Sequence, residues 1–248
     1  MKAIIIAAGM GNRLMPITND KPKCMLEIRG KTIMQRQLEV LRQRGMDDIV
    51  VVRGYKKEVI NYPGIRYYEN TDYENNNILR SLFYAENEMD NEFVFSYSDI
   101  IFERSILEKL LQSEADISLV VDVDWISHYE HRYQHPIGEA ELVEVRNGRI
   151  TKIGKKICST TTAYGEFMGL AKFSKTGVEI LRSNYQRVVA EYHGKAFQQA
   201  VSVEKAYLTD MTQELIDMGY VIRNVDIQGG WMEIDTLEDL EKARICFQ

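Results

Sequence analysis

Short apolar runs alternate with amphipathic segments along much of the chain, and this alternation limits the fold more than any other feature. Ala3–Ala7 and Ile49–Val52 are continuous apolar runs, typical of strands buried on both faces of a sheet. Between them, residues 32–44 place apolar side chains among polar ones and end at Gly45, which predicts a helix. The pattern predicts an α/β fold with a mostly parallel, Rossmann-like sheet sandwiched by helices.

The alternation continues toward the carboxyl end and is interrupted once, by a hairpin. Asn147-Gly148 separates the apolar-polar segments Glu141–Val145 and Arg149–Ile153, and Asn-Gly suits a tight two-residue turn. Further strands are predicted at residues 93–97, 117–123, 167–173 and 221–227, and further helices at 78–88, 104–112, 176–192, 209–218 and 237–245. Because no linker or repeat divides the chain, we expect a single domain over residues 1–248, with the hairpin as an inserted lobe.

Charge and cysteine content narrow the class of partners. The formal net charge of −6 over 248 residues argues against nucleic acid or an anionic membrane surface as the partner. Cys24, Cys158 and Cys246 are widely spaced, so a disulfide framework or thiolate metal site is not expected and a reducing cytoplasm fits best. The sequence has no apolar run of membrane-spanning length. It leaves the oligomeric state open, a homodimer included.

A glycine turn directly follows the first predicted strand. Open α/β sheets bind ligands at the carboxyl ends of their strands, and glycines there let backbone N–H groups approach phosphate oxygens. The residues that could bind a triphosphate are those of this turn and two basic residues, whose side chains add positive charge: Ala8, Gly9, Gly11, Asn12, Arg13 and, ten residues on, Lys23. The Rossmann fingerprint fails at Leu14, and a P-loop ending at Thr32 fails at Met25. An ordinary turn with solvated charges is an equally good interpretation of the glycines alone.

The stretch around this turn resembles a known family. Residues 3–41, AIIIAAGMGNRLMPITNDKPKCMLEIRGKTIMQRQLEVL, resemble the opening signature of the sugar-1-phosphate nucleotidyltransferases. The resemblance continues through Val52–Tyr55, Tyr97–Asp99 and Trp231–Asp235 and is weakest between residues 125 and 163. It implies an enzyme with the nucleotidyltransferase fold that transfers a nucleoside monophosphate. Within that enzyme, it implies that an inserted hairpin lobe at roughly residues 125–175 binds the acceptor.

The resemblance also assigns roles near the nucleotide. It implies catalytic roles for Arg13, Lys23 and Asp99, with Mg²⁺ held by Asp99 and Asp235. Gly54 and Ser98 would join the glycine turn in binding the nucleotide. From the residues alone, Asp235 is instead a candidate N-cap of the last helix.

The base and the acceptor are inferred from two weaker similarities. Residues 70–82 look like the base-reading segment of choline-phosphate and phosphonate cytidylyltransferases, which implies that Asn77 and Ser81 read the cytosine of CTP. Residues 125–157 are similar to phosphonate cytidylyltransferases, so the expected acceptor is a small phosphonate such as 2-aminoethylphosphonate. Its binding residues would be Lys155, Glu166, Asp210 and Trp231. The alternatives are an Asn-rich loop with an N-cap before the helix, an exposed hairpin lysine, a helix cap at Asp210 and a packing tryptophan.

Other functions stay open at this point. A choline-phosphate cytidylyltransferase, or a sugar-1-phosphate nucleotidyltransferase using UTP or dTTP, would carry many of the same motifs. A nucleotide-sensing module without activity is a third interpretation. His128, His131 and His135 would share one face of a helix, but Pro136 ends any helix there and no fourth metal ligand is apparent. A solvated lid or acceptor loop is therefore favoured for that segment over a metal cluster.

Overall fold

The structure is a computed structural model that describes residues 1–130 and 132–247. Its strands are β1 (Lys2–Ala7), β2 (Glu27–Ile28), β3 (Lys31–Thr32), β4 (Ile49–Arg53), β5 (Ile65–Glu69), β6 (Phe93–Tyr97), β7 (Ile100–Phe102), β8 (Ile117–Asp122), β9 (Glu141–Arg146), β10 (Arg149–Lys155), β11 (Gly165–Phe173), β12 (Ile222–Ile227) and β13 (Trp231–Glu233). Its α-helices are α1 (Ile33–Gln43), α2 (Ile78–Phe83), α3 (Arg104–Leu111), α4 (Ile126–Tyr129), α5 (Lys175–Glu191), α6 (Leu208–Asp217) and α7 (Leu237–Cys246). Most of these elements lie where the sequence predicts them.

The centre of the main sheet is parallel. Strands β5, β4, β1 and β6 are neighbours in that order, and Ile4 of β1 pairs with Val50 on one side and Phe95 on the other. Strand β11 then runs antiparallel to β6. It also pairs antiparallel with β8, which pairs parallel with β12. At its other part, β11 pairs antiparallel with β9, the first strand of the β9–β10 hairpin. The carboxyl ends of β1 and β6 therefore open toward the same edge, beside the hairpin.

Helices cover both faces of this sheet. On one face, α1 and α3 bury Met34, Leu38 and Leu107 against the strands. On the other, α2, α5 and α6 bury side chains such as Leu79 and Leu181. Helix α1 begins where predicted because the Thr32 side chain accepts the backbone N–H of Gln35.

Two local predictions differ in their outcome. The hairpin forms as expected, with Asn147 and Gly148 at φ of 53° and 67°, the left-handed values that a two-residue turn requires. The helix predicted at residues 78–88 ends at Phe83, because the chain tightens into a 3₁₀ turn over Glu86–Glu88. In the described part of the chain, no helix is long and apolar enough to cross a membrane.

The start of α7 decides between the two interpretations of Asp235. Thr236 is the N-cap: its hydroxyl accepts from the Asp239 backbone, and the Asp239 carboxylate accepts from the backbone N–H of Thr236. The N-cap interpretation of Asp235 is therefore wrong. Its side chain is left available for the cleft in front of the helix.

Candidate active site

A cleft of about 420 Å³ lies between the carboxyl ends of β1 and β6 and the hairpin strands. Of the predicted site residues, its walls include Gly9, Gly11, Asn12, Arg13, Lys23, Asn77, Ser98, Asp99, Lys155, Glu166, Trp231 and Asp235. Residues from the glycine turn, three strand ends and the hairpin lobe thus share one cavity. A concave site at the carboxyl edge of the parallel strands is where an α/β sheet places its ligand.

The glycine turn is built around Lys23. Gly11 has a φ of 67°, and a Cβ added to it would lie 2.6 Å from Cγ of Lys23. The turn therefore requires a glycine at this position for two reasons. Glycine adopts the left-handed conformation readily, and it leaves room for the Lys23 side chain to pack against the turn. The Thr18 hydroxyl donates to the Gly11 carbonyl at 3.0 Å and closes the loop.

Asp99 and Asp235 meet at the ammonium of Lys23. Lys23 Nζ lies 3.0 Å from Asp99 Oδ2 and also donates to Asp235 Oδ1. Strand β13 pairs antiparallel with β7, and the Ile234 N–H donates to the Asp99 carbonyl at 2.8 Å, which holds the two aspartates side by side. Burial alone would lower the pKa of Lys23, but the two carboxylates outweigh it and raise that pKa.

Asp235 is held ionised by further side chains. Arg13 Nη1 lies 2.6 Å from Asp235 Oδ2, and His135 Nδ1 lies 3.2 Å from the same oxygen. Burial raises the pKa of this carboxyl, but His135, Lys23 and Arg13 together depress it well below its usual range. Neighbouring Glu233 shows the opposite effect: burial and repulsion from Asp235 and Asp99 raise its pKa to about 7.

The donor set around Asp235 fits a divalent cation. Ligand atoms of His135, Glu233 and Asp235 lie within 4.8 Å of one another, and Asp99 reaches the same Lys23 ammonium as Asp235. Carboxylate oxygens are the ligands that Mg²⁺ prefers. His131 lies outside the described residues, so the three-histidine alignment is not seen; His128 and His135 serve separate contacts.

The opposite wall, here called the acidic half, consists of Glu139, Glu141, Lys155, Glu166, Tyr207 and Trp231. Lys155 Nζ pairs with Glu139 Oε2 at 2.9 Å and lies 4.7 Å from the centre of the Tyr207 ring. This wall has three carboxyl groups and one lysine, which favours a ligand carrying a positive group.

Two glutamates of the acidic half are buried with neutral partners. Glu141 accepts from Tyr97 Oη at 3.1 Å and Thr209 Oγ1 at 3.0 Å, and Glu166 accepts from Tyr129 Oη at 2.7 Å. Burial raises the pKa of Glu141 to about 7 and of Glu166 to about 8. Both carboxyls are therefore poised to ionise when a cation enters the cleft.

Four predicted site residues, Ala8, Gly54, Ser81 and Asp210, do not line the cleft. Ala8 and Gly54 support the glycine turn, since a Cβ on Gly54 would lie 2.9 Å from the Ala8 carbonyl oxygen. Ser81 is buried and its hydroxyl accepts from Asn70 Nδ2 at 2.9 Å. Asp210 caps α6 by accepting the N–H of Tyr207 at 2.8 Å.

The asparagine-rich segment is largely occupied with itself. Asn70 and Asn76 exchange amide hydrogen bonds of 2.6 and 3.0 Å, and Asn77 caps α2 by accepting the Ile78 N–H. Asn77 alone of these three asparagines lines the cleft. Sequence reasoning missed other lining residues, chiefly Tyr97, His135, Glu139, Glu141, Tyr207 and Glu233. For Tyr97 and Glu141, the available signal in the sequence was a position at the end of a predicted strand.

A glycine turn with two cations, two aspartates at strand ends and an α/β sheet together define a nucleotidyltransferase. The chain belongs to the family of the MobA-like NTP transferase domain, which matches residues 3–145. Both the fold class and the resemblance inferred from the sequence are confirmed.

Individual relatives are similar along the whole chain or part of it. The CTP:phosphoglutamine cytidylyltransferase of Campylobacter jejuni is 32% identical over 97% of this chain and 98% of its own length. The choline-phosphate cytidylyltransferase of Streptococcus pneumoniae is 34% identical over 46% of this chain and 51% of its own. The solved inositol-1-phosphate CTP transferase from T. maritima superposes with a TM-score of 0.75 and 24% identity, covering 99% of this chain and 96% of that one.

Proposed function

We propose that this protein transfers CMP from CTP to a small phosphorylated acceptor and releases pyrophosphate. The observation that carries the proposal is the shared cleft, in which Lys23, Asp99 and Asp235 line one cavity together with the acidic half. The relative that matches along its whole length uses CTP and an acceptor whose name contains both a phosphate and an amino acid. A cleft with a phosphate-binding wall and a cation-binding wall suits that pair of substrates.

The chemistry needs positioning more than acid-base catalysis. An oxygen of the acceptor's phosphoryl group attacks the α-phosphorus of CTP, the bond from that phosphorus to the β-phosphate oxygen breaks, and its electron pair leaves with pyrophosphate. The attacking oxygen is already anionic, so no strong base is required. Lys23 and Arg13 would turn from Asp235 to the phosphates and stabilise the charge that accumulates on pyrophosphate. Mg²⁺, when bound by Asp99 and Asp235, supplies further neutralisation of phosphate oxygens.

The acidic half favours an acceptor with an ammonium group and a carboxylate. Glu141 and Glu166 would bind the ammonium beside the aromatic face of Trp231, and Lys155 would bind the carboxylate. Phosphoglutamine carries both groups, so we propose it as the preferred acceptor. Phosphocholine and 2-aminoethylphosphonate carry the cation alone. The phosphonate acceptor stays a prediction, and a sugar phosphate with an uncharged sugar would bring no cation to the buried glutamates.

A matrix of nucleotides and acceptors tests the proposal. Pyrophosphate release is measured with Mg²⁺ for CTP, UTP, dTTP, ATP and GTP, each with phosphoglutamine, phosphocholine, 2-aminoethylphosphonate and glucose 1-phosphate. The fastest pair is expected to be CTP with phosphoglutamine. UTP or dTTP with glucose 1-phosphate as the best pair would contradict the proposal, and no turnover with any pair would favour a nucleotide-sensing module.

The raised pKa of Glu166 predicts a pH-dependent acceptor affinity. Below about pH 8 this carboxyl is largely protonated in the empty protein, so a cationic acceptor must first ionise it. The ionised fraction of one carboxyl with this pKa rises from about one hundredth at pH 6 to about half at pH 8, so the KM for phosphoglutamine should fall by up to about fiftyfold over that range. In Glu166→Gln the KM should be high and nearly independent of pH, apart from titration of the acceptor's own phosphoryl group. An unchanged profile in the variant would contradict this role.

The same pKa has a consequence for stability with a defined sign. Because the folded-state pKa of Glu166 lies above the ordinary glutamate value of 4.5, burial of this carboxyl costs stability as the pH rises from about 4.5 to 8. Glu166→Gln keeps an acceptor for the Tyr129 hydroxyl and removes the titration. Without bound ligand, Glu166→Gln should therefore have a higher melting temperature than the parent at pH 8 and a similar one near pH 4.5. Differential scanning fluorimetry measures both temperatures.

A further inference from the structure

A buried carboxylate behind the cleft has four N–H donors around it. Asp122 ends β8 and is fully buried. Its Oδ2 accepts from the indole N–H of Trp231 at 2.6 Å and lies 3.0 Å from Nε2 of His128. Its Oδ1 accepts from the backbone of Asp124 at 2.9 Å and of Gly229 at 3.2 Å. Two of these donors are side chains and two are backbone groups of the loops that flank the cleft.

Asp122 stays ionised despite its burial. Desolvation raises the pKa of its carboxyl, but the bonds from His128 and Trp231 together with the backbone N–H groups lower it overall. A buried charge costs free energy unless it is well paired. Asp122 does not line the cleft, so its charge does not act directly on a ligand there. The role of Asp122 is therefore better judged from the side chains that it binds, Trp231 and His128.

Of the two side chains that Asp122 holds, Trp231 belongs to the acidic half. Trp231 lines the cleft, and the His128 ring stacks on it with a centroid distance of 5.2 Å and an interplanar angle of 27°. Trp231 follows Gly229-Gly230, both of which have positive φ and little conformational preference of their own. The bond from Gly229 to Asp122 therefore limits the loop that delivers the indole. Helix α4, which carries His128, also carries Tyr129, the donor to Glu166.

From this arrangement we infer that Asp122 is a positioning residue that sets the affinity for the acceptor. It fixes the plane of the Trp231 ring, backed by His128, so that the cationic group of the acceptor meets a preorganised aromatic face. The inference rests on the proposed function, because it takes the acidic half as the acceptor side. It goes beyond that function by placing a determinant of acceptor affinity behind the cleft wall.

Asp122→Asn tests the inference with a matched control. All four neighbours of the Asp122 carboxylate are N–H donors, so an asparagine must turn its NH₂ group toward at least one of them. The KM for phosphoglutamine should rise about tenfold, the loss of about one charge-assisted hydrogen bond. The KM for CTP and kcat should change less than about threefold. Asp124→Asn removes the same charge from an exposed neighbouring residue and should leave all three constants at parent values.

A spectroscopic measurement makes the result independent of turnover. Trp125→Phe leaves Trp231 as the sole tryptophan, and adding Asp122→Asn should shift its emission to the red and increase quenching by acrylamide. Unchanged emission, or a shifted emission with an unchanged acceptor KM, overturns the inference. If the parent enzyme turns over no acceptor, the proposed function fails first, and the inference about acceptor affinity is overturned with it. The emission would then report only whether Asp122 orders Trp231.

A second variant covers the case in which Asp122→Asn does not fold. His128→Gln removes the stacked ring but keeps the bond from Trp231 to Asp122. It should raise the acceptor KM at least threefold with the CTP KM unchanged. An acceptor KM equal to that of the parent in this variant would overturn the inference as well.

Discussion

Replacing Lys23 with alanine is expected to lower kcat/KM for pyrophosphate release by about 10²–10³-fold or more, the scale seen when a preorganised charged donor is lost. The ammonium of Lys23 lies between Asp99 and Asp235 at the mouth of the glycine turn, where the triphosphate would bind. Its raised pKa keeps it charged throughout the physiological range. The loss should fall mainly on kcat, because charge on pyrophosphate grows as the bond breaks.

Stability measurements separate this role from a structural one. Without Lys23, the carboxylates of Asp99, Glu233 and Asp235 repel one another, so the metal-free variant should melt below the parent at neutral pH. Added Mg²⁺ should then raise its melting temperature more than that of the parent, since no ammonium competes for the carboxylates. Lys21→Ala, which removes the same charge two residues away, is the control and should keep parent activity. Near-normal turnover in Lys23→Ala would refute the assigned role.

Asp99→Asn is expected to abolish Mg²⁺-dependent turnover and to leave the fold intact. Asp99 follows β6, and its Oδ2 contacts the same ammonium as Asp235, so the amide removes one of the two charges available to a cation there. The backbone contact that joins the two aspartates runs through the Asp99 carbonyl to the Ile234 N–H, and the substitution does not touch it. Circular dichroism should therefore match the parent.

The measurement pairs a pyrophosphate-release assay with the melting temperature in a Mg²⁺ titration. Asp99→Asn should show no turnover and a weakened response to Mg²⁺. Asp20→Asn, an equal change of charge on an exposed residue between the glycine turn and Lys23, should retain both. If Asp99→Asn kept half of the parent activity with an undiminished Mg²⁺ response, the cation would have to be held elsewhere.

Some features near the site can be predicted from the sequence because they depend only on residues that are neighbours along the chain. Gly11 could be predicted because a turn after a buried strand needs positive φ, and the hairpin because Asn147-Gly148 suits one turn geometry. Ser81 and Asp210, to which the resemblance gave roles at the base and the acceptor, do not line the cleft. Ser81 is hydrogen bonded to Asn70, and Asp210 to the backbone of Tyr207. A pattern along the sequence shows neither contact.

The order of strands and helices, the buried sheet centre and the glycine turn follow from residues that are neighbours along the chain, because backbone conformation and hydrophobic period are local properties. The convergence of Asp99 with Asp235 depends instead on the register of β13 against β7. Likewise, Trp231 meets Asp122 only because β8 and the Gly229 loop end at the same place. Such contacts join residues far apart in sequence, and packing of the whole sheet decides them.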